Sequence, residues 1–91
     1  MLTLQQTSAF KRSLKKYRHD EGILDELEKV LELLLNEKKL PEKYRDHELK
    51  GKFKGIRELH LKPDDLLLYV VVEKERLVLM GIGSHSELFK S

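Results

Sequence analysis

Seven consecutive apolar residues, Leu66 to Val72, limit what this chain can fold into more than any other feature. A strand with one solvated face alternates apolar and polar residues, so an unbroken apolar run predicts a strand covered on both faces. Residues 53–61 and 77–82 give two further predicted strands, joined to the first by short turns at 63–65 and 73–75. Connections this short favour antiparallel neighbours.

The residues before Pro41 show a helical period instead. One predicted helix begins with a cap at Thr7 or Ser8, and Gly22 is expected to break it from a second helix. The apolar stripe of the first helix contains Phe10, Leu14 and Tyr17. The stripe of the second contains Ile23, Leu27, Val30, Leu31 and Leu34. This order predicts an α+β domain with two N-terminal helices packed on one face of a small, mainly antiparallel β-sheet.

The length of 91 residues fits one domain over 1–91 with a modest core. Residues 2–4 are expected to add a strand at the edge of the sheet. The sequence has no cysteine, which excludes disulfides and thiolate metal sites and fits a reducing compartment. Its apolar runs fall far short of the roughly 20 residues that a membrane-spanning helix needs. We therefore expect a cytoplasmic protein with no membrane partner.

The formal net charge of +2 hides strong segregation of charge along the chain. Residues 11–19 and 38–62 are basic, whereas residues 20–37 carry seven acids against one base. Basic blocks of this kind can follow a phosphate backbone even in a nearly neutral protein. Solvated faces are the plain alternative for both blocks.

Three of the four histidines fall at predicted strand ends or turns, which a sheet can bring together: His47, His60 and His85. The fourth, His19, lies in the basic helix and is expected to be a surface residue. Asp64 lies in the turn after His60, where it can orient or pair with a nearby imidazole.

Alternation along residues 53–61 assigns their side chains to two faces of the sheet. Glu58 and His60 are expected on the face away from the helices. The same face is expected to carry Lys52, Lys54 and Ile56. The helix-facing set is Arg57, Leu59 and Leu61.

Imidazoles, carboxylates and lysines on one face supply what RNA cleavage by internal transesterification needs. A base removes the 2′-hydroxyl proton, an acid protonates the leaving 5′-oxygen, and cations offset the charge on the phosphoryl oxygens. Two other interpretations stay open at this point. Each histidine can be an ordinary surface residue, and His60 and Asp64 with another histidine can form a metal site.

Two blocks of sequence resemble the YafQ-type branch of the RelE/ParE toxin superfamily: YRDHELKGKFKGIRELHLKPDDLLLY and the C-terminal GSHSELF. The resemblance covers nearly the whole chain, including its helix-helix-sheet order. It implies a type II toxin that cuts mRNA, typically at the ribosome, without a metal or cofactor. It also implies a cognate antitoxin that holds the toxin inactive, with operator DNA contacted only through that antitoxin.

The resemblance further implies roles for individual residues. The implied catalytic set is His47, Glu58, His60, Asp64 and His85. Within it His85 is the leading candidate for the general acid at the leaving oxygen. His47, His60 and Asp64 share the base and substrate-orienting roles. The implied RNA contacts are Lys52, Lys54, Arg57 and Phe89. The Phe89 ring can stack on a base, or it can be an apolar plug that anchors the C-terminus.

Gly81 departs from the family pattern, because related toxins commonly carry an arginine there that is thought to stabilise the transition-state phosphate. We predict that Gly81→Arg raises cleavage activity. Two alternative functions follow from the same fold: a non-catalytic or attenuated antitoxin-binding module, and a ParE-like gyrase poison. The presence of His47, His60, Asp64 and His85 together favours the enzyme, because a binding module does not need this set.

Overall fold

The computed structural model describes residues 1–89, and a five-stranded sheet forms its centre. The strands are β1 (Thr3–Gln6), β2 (His47–Glu48), β3 (Arg57–Lys62), β4 (Asp65–Val72) and β5 (Arg76–Gly83). Their spatial order is β1-β5-β4-β3-β2, with β1 parallel to β5 and every other pair antiparallel. The predicted fold class is therefore confirmed. The edge strand expected at residues 2–4 is also present, shifted by one or two residues.

Three α-helices accompany the sheet: α1 (Ser8–Leu14), α2 (Glu21–Leu35) and α3 (His85–Leu88). Short 3-10 turns cover Lys15–Tyr17, Glu42–Tyr44 and Gly51–Phe53. The Thr7 side chain caps α1 by accepting a hydrogen bond from the Phe10 amide, as the sequence predicts. No helix within residues 1–89 combines the length and apolar character of a membrane span.

The predicted break at Gly22 is wrong, because Gly22 lies inside the first turn of α2. The chain turns earlier, where Asp20 accepts a hydrogen bond from the Ile23 amide and so starts the second helix. Gly22 also leaves room for the Lys62 side chain. A Cβ atom at position 22 would lie 2.7 Å from the Lys62 ammonium nitrogen.

The core lies between α1, α2 and one face of the sheet. From the helices it takes Phe10, Ile23, Leu27 and Val30. From the sheet it takes Leu59, Leu61, Leu67, Tyr69, Leu77, Leu79 and Ile82. Each large side chain buried here stabilises the fold by about 1.5–3 kcal/mol relative to an exposed one. The expectation that Leu59 and Leu61 face the helices is confirmed.

The β4 strand is covered on both faces over its first half only. Leu66 and Leu68 on the face away from the helices are buried, as are Leu67 and Tyr69 on the core face. Leu68 pairs with Gly81 on β5, and the Leu88 side chain of α3 lies over Gly81. Val71, near the far end of the strand, is 40% exposed. The C-terminal helix therefore supplies part of the second cover that the apolar run required.

The strand predicted for residues 53–61 begins four residues later than expected, at Arg57. Gly51 and Gly55 adopt φ values of 69° and 98°, a region open to glycine but incompatible with an extended strand. Residues 51–53 form a 3-10 turn instead. Lys52 and Lys54 are consequently exposed outside the sheet and do not share a strand face with Glu58.

Candidate active site

A buried carboxylate lies between two imidazole rings on the sheet face away from the helices. His47 on β2 pairs in register with Glu58 on β3, and His60 follows two residues later on the same strand face. Glu58 is 6% exposed. Its Oε1 atom lies 3.5 Å from Nε2 of His47 and 3.6 Å from Nε2 of His60. Strand pairing thus gathers three of the predicted site residues around one oxygen atom.

Backbone carbonyls fix the orientation of both rings. Nδ1 of His47 lies 2.7 Å from the Arg45 carbonyl oxygen, and Nδ1 of His60 lies 3.2 Å from that of Pro63. A carbonyl oxygen only accepts, so each Nδ1 carries a proton and donates it. Each Nε2 is left facing Glu58, where any proton it gains is directed at the carboxylate. The two rings lie 6.5 Å apart, with their planes inclined at 30°.

A second charged cluster supports this site from the opposite face of the sheet. The Arg57 guanidinium contacts the Asp46 carboxylate through Nε at 3.3 Å and through a terminal nitrogen at 3.0 Å. The Tyr69 hydroxyl donates to the same carboxylate at 2.5 Å. Burial, followed by this hydrogen bond to Asp46, raises the pKa of Tyr69 well above its ordinary value. Arg57, an expected RNA contact, thus lies beside the residue that precedes His47, with its side chain 38% exposed.

His85 lies in a separate element, the first turn of α3. Ser84 and Glu87 form a capping box in which each side chain accepts a hydrogen bond from the other residue's amide. The Glu87 carboxylate also accepts from the Lys16 ammonium at 3.0 Å, across 71 residues of sequence. The Ser84 amide and then the Lys16 ammonium lower the pKa of Glu87 to about 2. His85 itself is exposed.

Aromatic contacts tie the end of the described chain to the 3-10 turn before β3. The Phe89 ring lies 4.8 Å from the His85 ring and meets the Phe53 ring edge-on at 5.3 Å. Phe89 is half-buried, so one of its surfaces stays accessible. The Lys52 ammonium lies over Phe53, 5.3 Å from the ring centre. This arrangement fits both interpretations of Phe89, as a plug and as a stacking surface.

The remaining predicted residue, Asp64, is exposed in the turn between β3 and β4. The carboxylate beside the two imidazoles is Glu58 instead. The neighbouring Asp65 accepts a hydrogen bond from the Tyr17 hydroxyl at 2.9 Å. Within residues 1–89, no three histidine or carboxylate side chains converge closely enough to hold a metal ion.

Sequence reasoning missed two supports of the site, Asp46 and Glu87. Asp46 stands directly before His47, and a Ser-x-x-Glu capping signal at 84–87 was available in the sequence. Neither the ion pair with Arg57 nor that with Lys16 could be found from sequence spacing, because both partners are remote along the chain.

Comparisons with known proteins find toxins of similar sequence and fold. The mRNA interferase toxin YafQ of Escherichia coli K12 is 36% identical over 77 residues, covering 84% of this chain and 80% of that protein. A metal-bound toxin from Helicobacter pylori superposes with a TM-score of 0.88 at 46% identity, covering 98% of this chain and all of the other. The E. coli DinJ-YafQ complex gives a TM-score of 0.85 at 28% identity, covering 98% and 99%.

A family model also matches nearly the whole chain. The family model for YafQ, a bacterial toxin of type II toxin-antitoxin systems, matches residues 2–90. That range includes both sequence blocks and every residue of the site. This chain therefore belongs to the YafQ family of type II toxins.

Proposed function

We propose that this chain is an mRNA interferase, an endoribonuclease that cuts messages by attack of a 2′-hydroxyl on the adjacent phosphate. The observation that carries the proposal is the Glu58 carboxylate held between the Nε2 atoms of His47 and His60. A relative 36% identical to this chain is named for this activity, which supports the assignment.

The base half of the reaction belongs to the strand-borne pair. His47 and His60 share the tasks of removing the 2′-hydroxyl proton and orienting the substrate. The proton taken up on Nε2 faces Glu58, whose negative charge stabilises the imidazolium. The 2′-oxygen bonds to phosphorus as the bond to the 5′-oxygen breaks. The products are a 2′,3′-cyclic phosphate and a 5′-hydroxyl.

The acid half of the reaction is assigned to His85. Its exposed imidazole, in the first turn of α3, donates a proton to the leaving 5′-oxygen. Phe89, whose ring lies against His85, stacks on a neighbouring base. Asp64 helps to orient the substrate from its turn, and Lys52 and Lys54 contact the RNA backbone from outside the sheet.

The proposed partners follow from the same assignment. The E. coli relative is known in complex with the antitoxin DinJ, which supports a cognate antitoxin for this chain. We place its action on translated mRNA at the ribosome, in the cytoplasm where messages are translated. Operator DNA is contacted only through the antitoxin.

Induction of the chain in growing bacteria, followed by mapping of RNA ends and of DNA breaks, tests this function. We expect growth arrest with new cuts inside translated messages, and purified protein that cuts a translated message in the presence of a chelator. DNA breaks without RNA cuts would instead indicate a gyrase poison. Cutting that stops in chelator while the ribosomes remain intact would contradict the metal-free mechanism.

A further inference from the structure

An open cavity of about 230 Å³ has His60 in its lining, the residue whose Nε2 faces Glu58 in the proposed active site. Three basic side chains contribute to its lining: Lys43, Arg45 and Lys62. His60 and Pro63 also line the cavity. The cavity is smaller than the roughly 300–1,000 Å³ of ordinary small-molecule sites, so it suits a compact group better than a whole cofactor.

The three cations come from two parts of the chain, Lys43 and Arg45 from one turn and Lys62 from the end of β3. Arg45 has φ 52° and ψ 41°, a left-handed conformation that few residues other than glycine adopt. Its carbonyl oxygen is the one that faces Nδ1 of His47, so the same strained residue contributes to both sites. Lys62 ends β3, with its ammonium against Gly22, and Lys43 comes from the 3-10 turn before Arg45.

One carboxylate, that of Glu26, opposes these charges in the lining. It accepts a hydrogen bond of 2.6 Å from the Tyr44 hydroxyl, which lowers the pKa of Glu26 and keeps it ionised. Three cations against one anion leave the cavity positive. Tyr44 is 3% exposed and offers no free ring face, so a stacked base is not the expected occupant.

We propose that this cavity binds a backbone phosphate of the RNA strand, next to the phosphate that is cut at the His47, Glu58 and His60 site. The proposal rests on the proposed function, since it extends the path of the same substrate. Lysine and arginine side chains are the common protein contacts to phosphate, and such contacts fix the register of the strand. His60 belongs both to the lining of this cavity and to the cleavage site, so the two are neighbours.

The chain offers a matched pair of lysines for the test. Lys43 and Lys29 both lie 3.9 Å from Glu26, and their side chains are 64% and 65% exposed. Lys43 lines the cavity, whereas Lys29 is absent from its lining. Removing either lysine changes the net charge equally. A difference between the two variants therefore reports the cavity and not general electrostatic attraction.

The experiment measures binding of a single-stranded RNA that carries 2′-deoxyribose at the cut position, so that it binds without being cleaved. Titrations run over a range of salt concentrations for wild type and for the variants. We expect Lys43→Ala and Lys62→Ala each to weaken binding about threefold to tenfold and to reduce the salt slope by about 0.7. Lys29→Ala should keep the wild-type slope.

Glu26→Gln supplies a test in the opposite direction. Its amide oxygen can still accept from Tyr44, so the local packing is kept while the opposing charge is removed. We expect tighter RNA binding than wild type. The variants Lys43→Gln and Lys62→Gln replace the alanine variants if thermal unfolding shows that alanine destabilises the chain.

The cavity proposal is wrong if the Lys43 and Lys29 variants bind RNA with equal affinity and equal salt slope. The same result is expected if these cations bind a protein partner and not RNA. If wild type still cuts RNA in that case, the proposed function stands alone. If wild type neither cuts nor binds RNA, both proposals fail together.

Discussion

The two histidine-bearing regions of this chain are built on different principles. His47 and His60 lie on paired strands, donate to backbone carbonyls through Nδ1, and face one buried carboxylate. His85 lies on a four-residue helix whose position depends on side-chain contacts of Glu87 with Ser84 and Lys16. Strand register thus fixes the first pair, whereas remote side chains hold the second region.

This difference matches the two halves of the proposed reaction. The base must meet a 2′-hydroxyl in one geometry, and a preorganised carboxylate beside it stabilises the charge that forms. The acid must reach a leaving oxygen on an RNA substrate that is long and varies in sequence. The exposed imidazole of His85 can approach such an oxygen. Substitutions in the two regions should therefore have separable effects.

The largest effect is expected from His85→Ala. Loss of a general acid lowers the cleavage rate by about 100-fold to 10,000-fold. Because His85 is exposed, thermal stability and antitoxin binding should remain at wild-type values. Single-turnover cleavage and growth after induction measure the effect. Undiminished toxicity would remove His85 from the mechanism.

Removing the charge between the strand-borne rings is expected to lower the rate by about 100-fold. Glu58→Gln keeps the shape but loses the negative charge that stabilises an imidazolium at His47 or His60. The loss should appear in kcat, with KM little changed. Glu48→Gln, an exposed carboxylate one residue from His47, is the matched control and should behave as wild type. A rate for Glu58→Gln equal to that control would show that the carboxylate has no catalytic role.

Loss of the Asp46 contacts behind β2 should lower the stability of the chain more than its cleavage activity. Asp46→Asn weakens the contacts to Arg57 and Tyr69, and we expect a loss of about 1–2 kcal/mol in the free energy of unfolding. The partial exposure of the ion pair keeps this figure below that of a fully buried pair. Urea denaturation measures it against Asp25→Asn, an exposed aspartate on α2. Equal midpoints for the two variants would contradict the supporting role of Asp46.

The anchoring of α3 predicts a pH dependence of stability. The pKa of Glu87 is about 2 in the folded chain against an ordinary value of 4.5, so its contribution is present above pH 4.5. It is lost as pH falls from 4.5 towards 2, since the unfolded state then binds the proton more readily. Thermal unfolding of wild type and Glu87→Gln should therefore differ at neutral pH and converge in acid. A constant difference across that window would rule out this linkage.

The smallest effect concerns Gly81. A Cβ there would lie 3.0 Å from the end of the Leu88 side chain, so an arginine must displace Leu88. We expect Gly81→Arg to raise cleavage by a few-fold, and the rise to be larger when Leu88→Ala is combined with it. Ribosome-supplemented cleavage assays measure both. Equal or lower activity in the double variant would show that the missing arginine does not limit this toxin.

Much of the fold could be predicted because local patterns determine it. Three such patterns can be seen directly in the sequence: the apolar run that begins at Leu66, the apolar stripe of α2 and the cap at Thr7. Gly22 misled the prediction because a glycine is tolerated in the first helical turn once Asp20 has capped it. Alternation could not predict that β3 starts at Arg57, because the backbone conformations of Gly51 and Gly55 prevent an extended strand before it.

The site was predictable to the extent that it follows strand alternation. Glu58 and His60 were placed on one face by that rule, and pairing with β2 adds His47. The contacts of Arg57 with Asp46 and of Lys16 with Glu87 depend on how separate elements pack. Sequence spacing carries no information on such tertiary pairs. The cavity beside His60 likewise exists only after three elements have come together.

The chemistry of the cut ends tests the central claim most directly. Purified protein is incubated with a translated message, in chelator at a level that leaves the ribosomes intact, and with the same message carrying 2′-deoxyribose at the cut position. The histidine mechanism predicts a 2′,3′-cyclic phosphate and a 5′-hydroxyl from the first, and no cut at that position in the second. Ends that carry a 5′-phosphate, or cutting of the deoxyribose message, would contradict it.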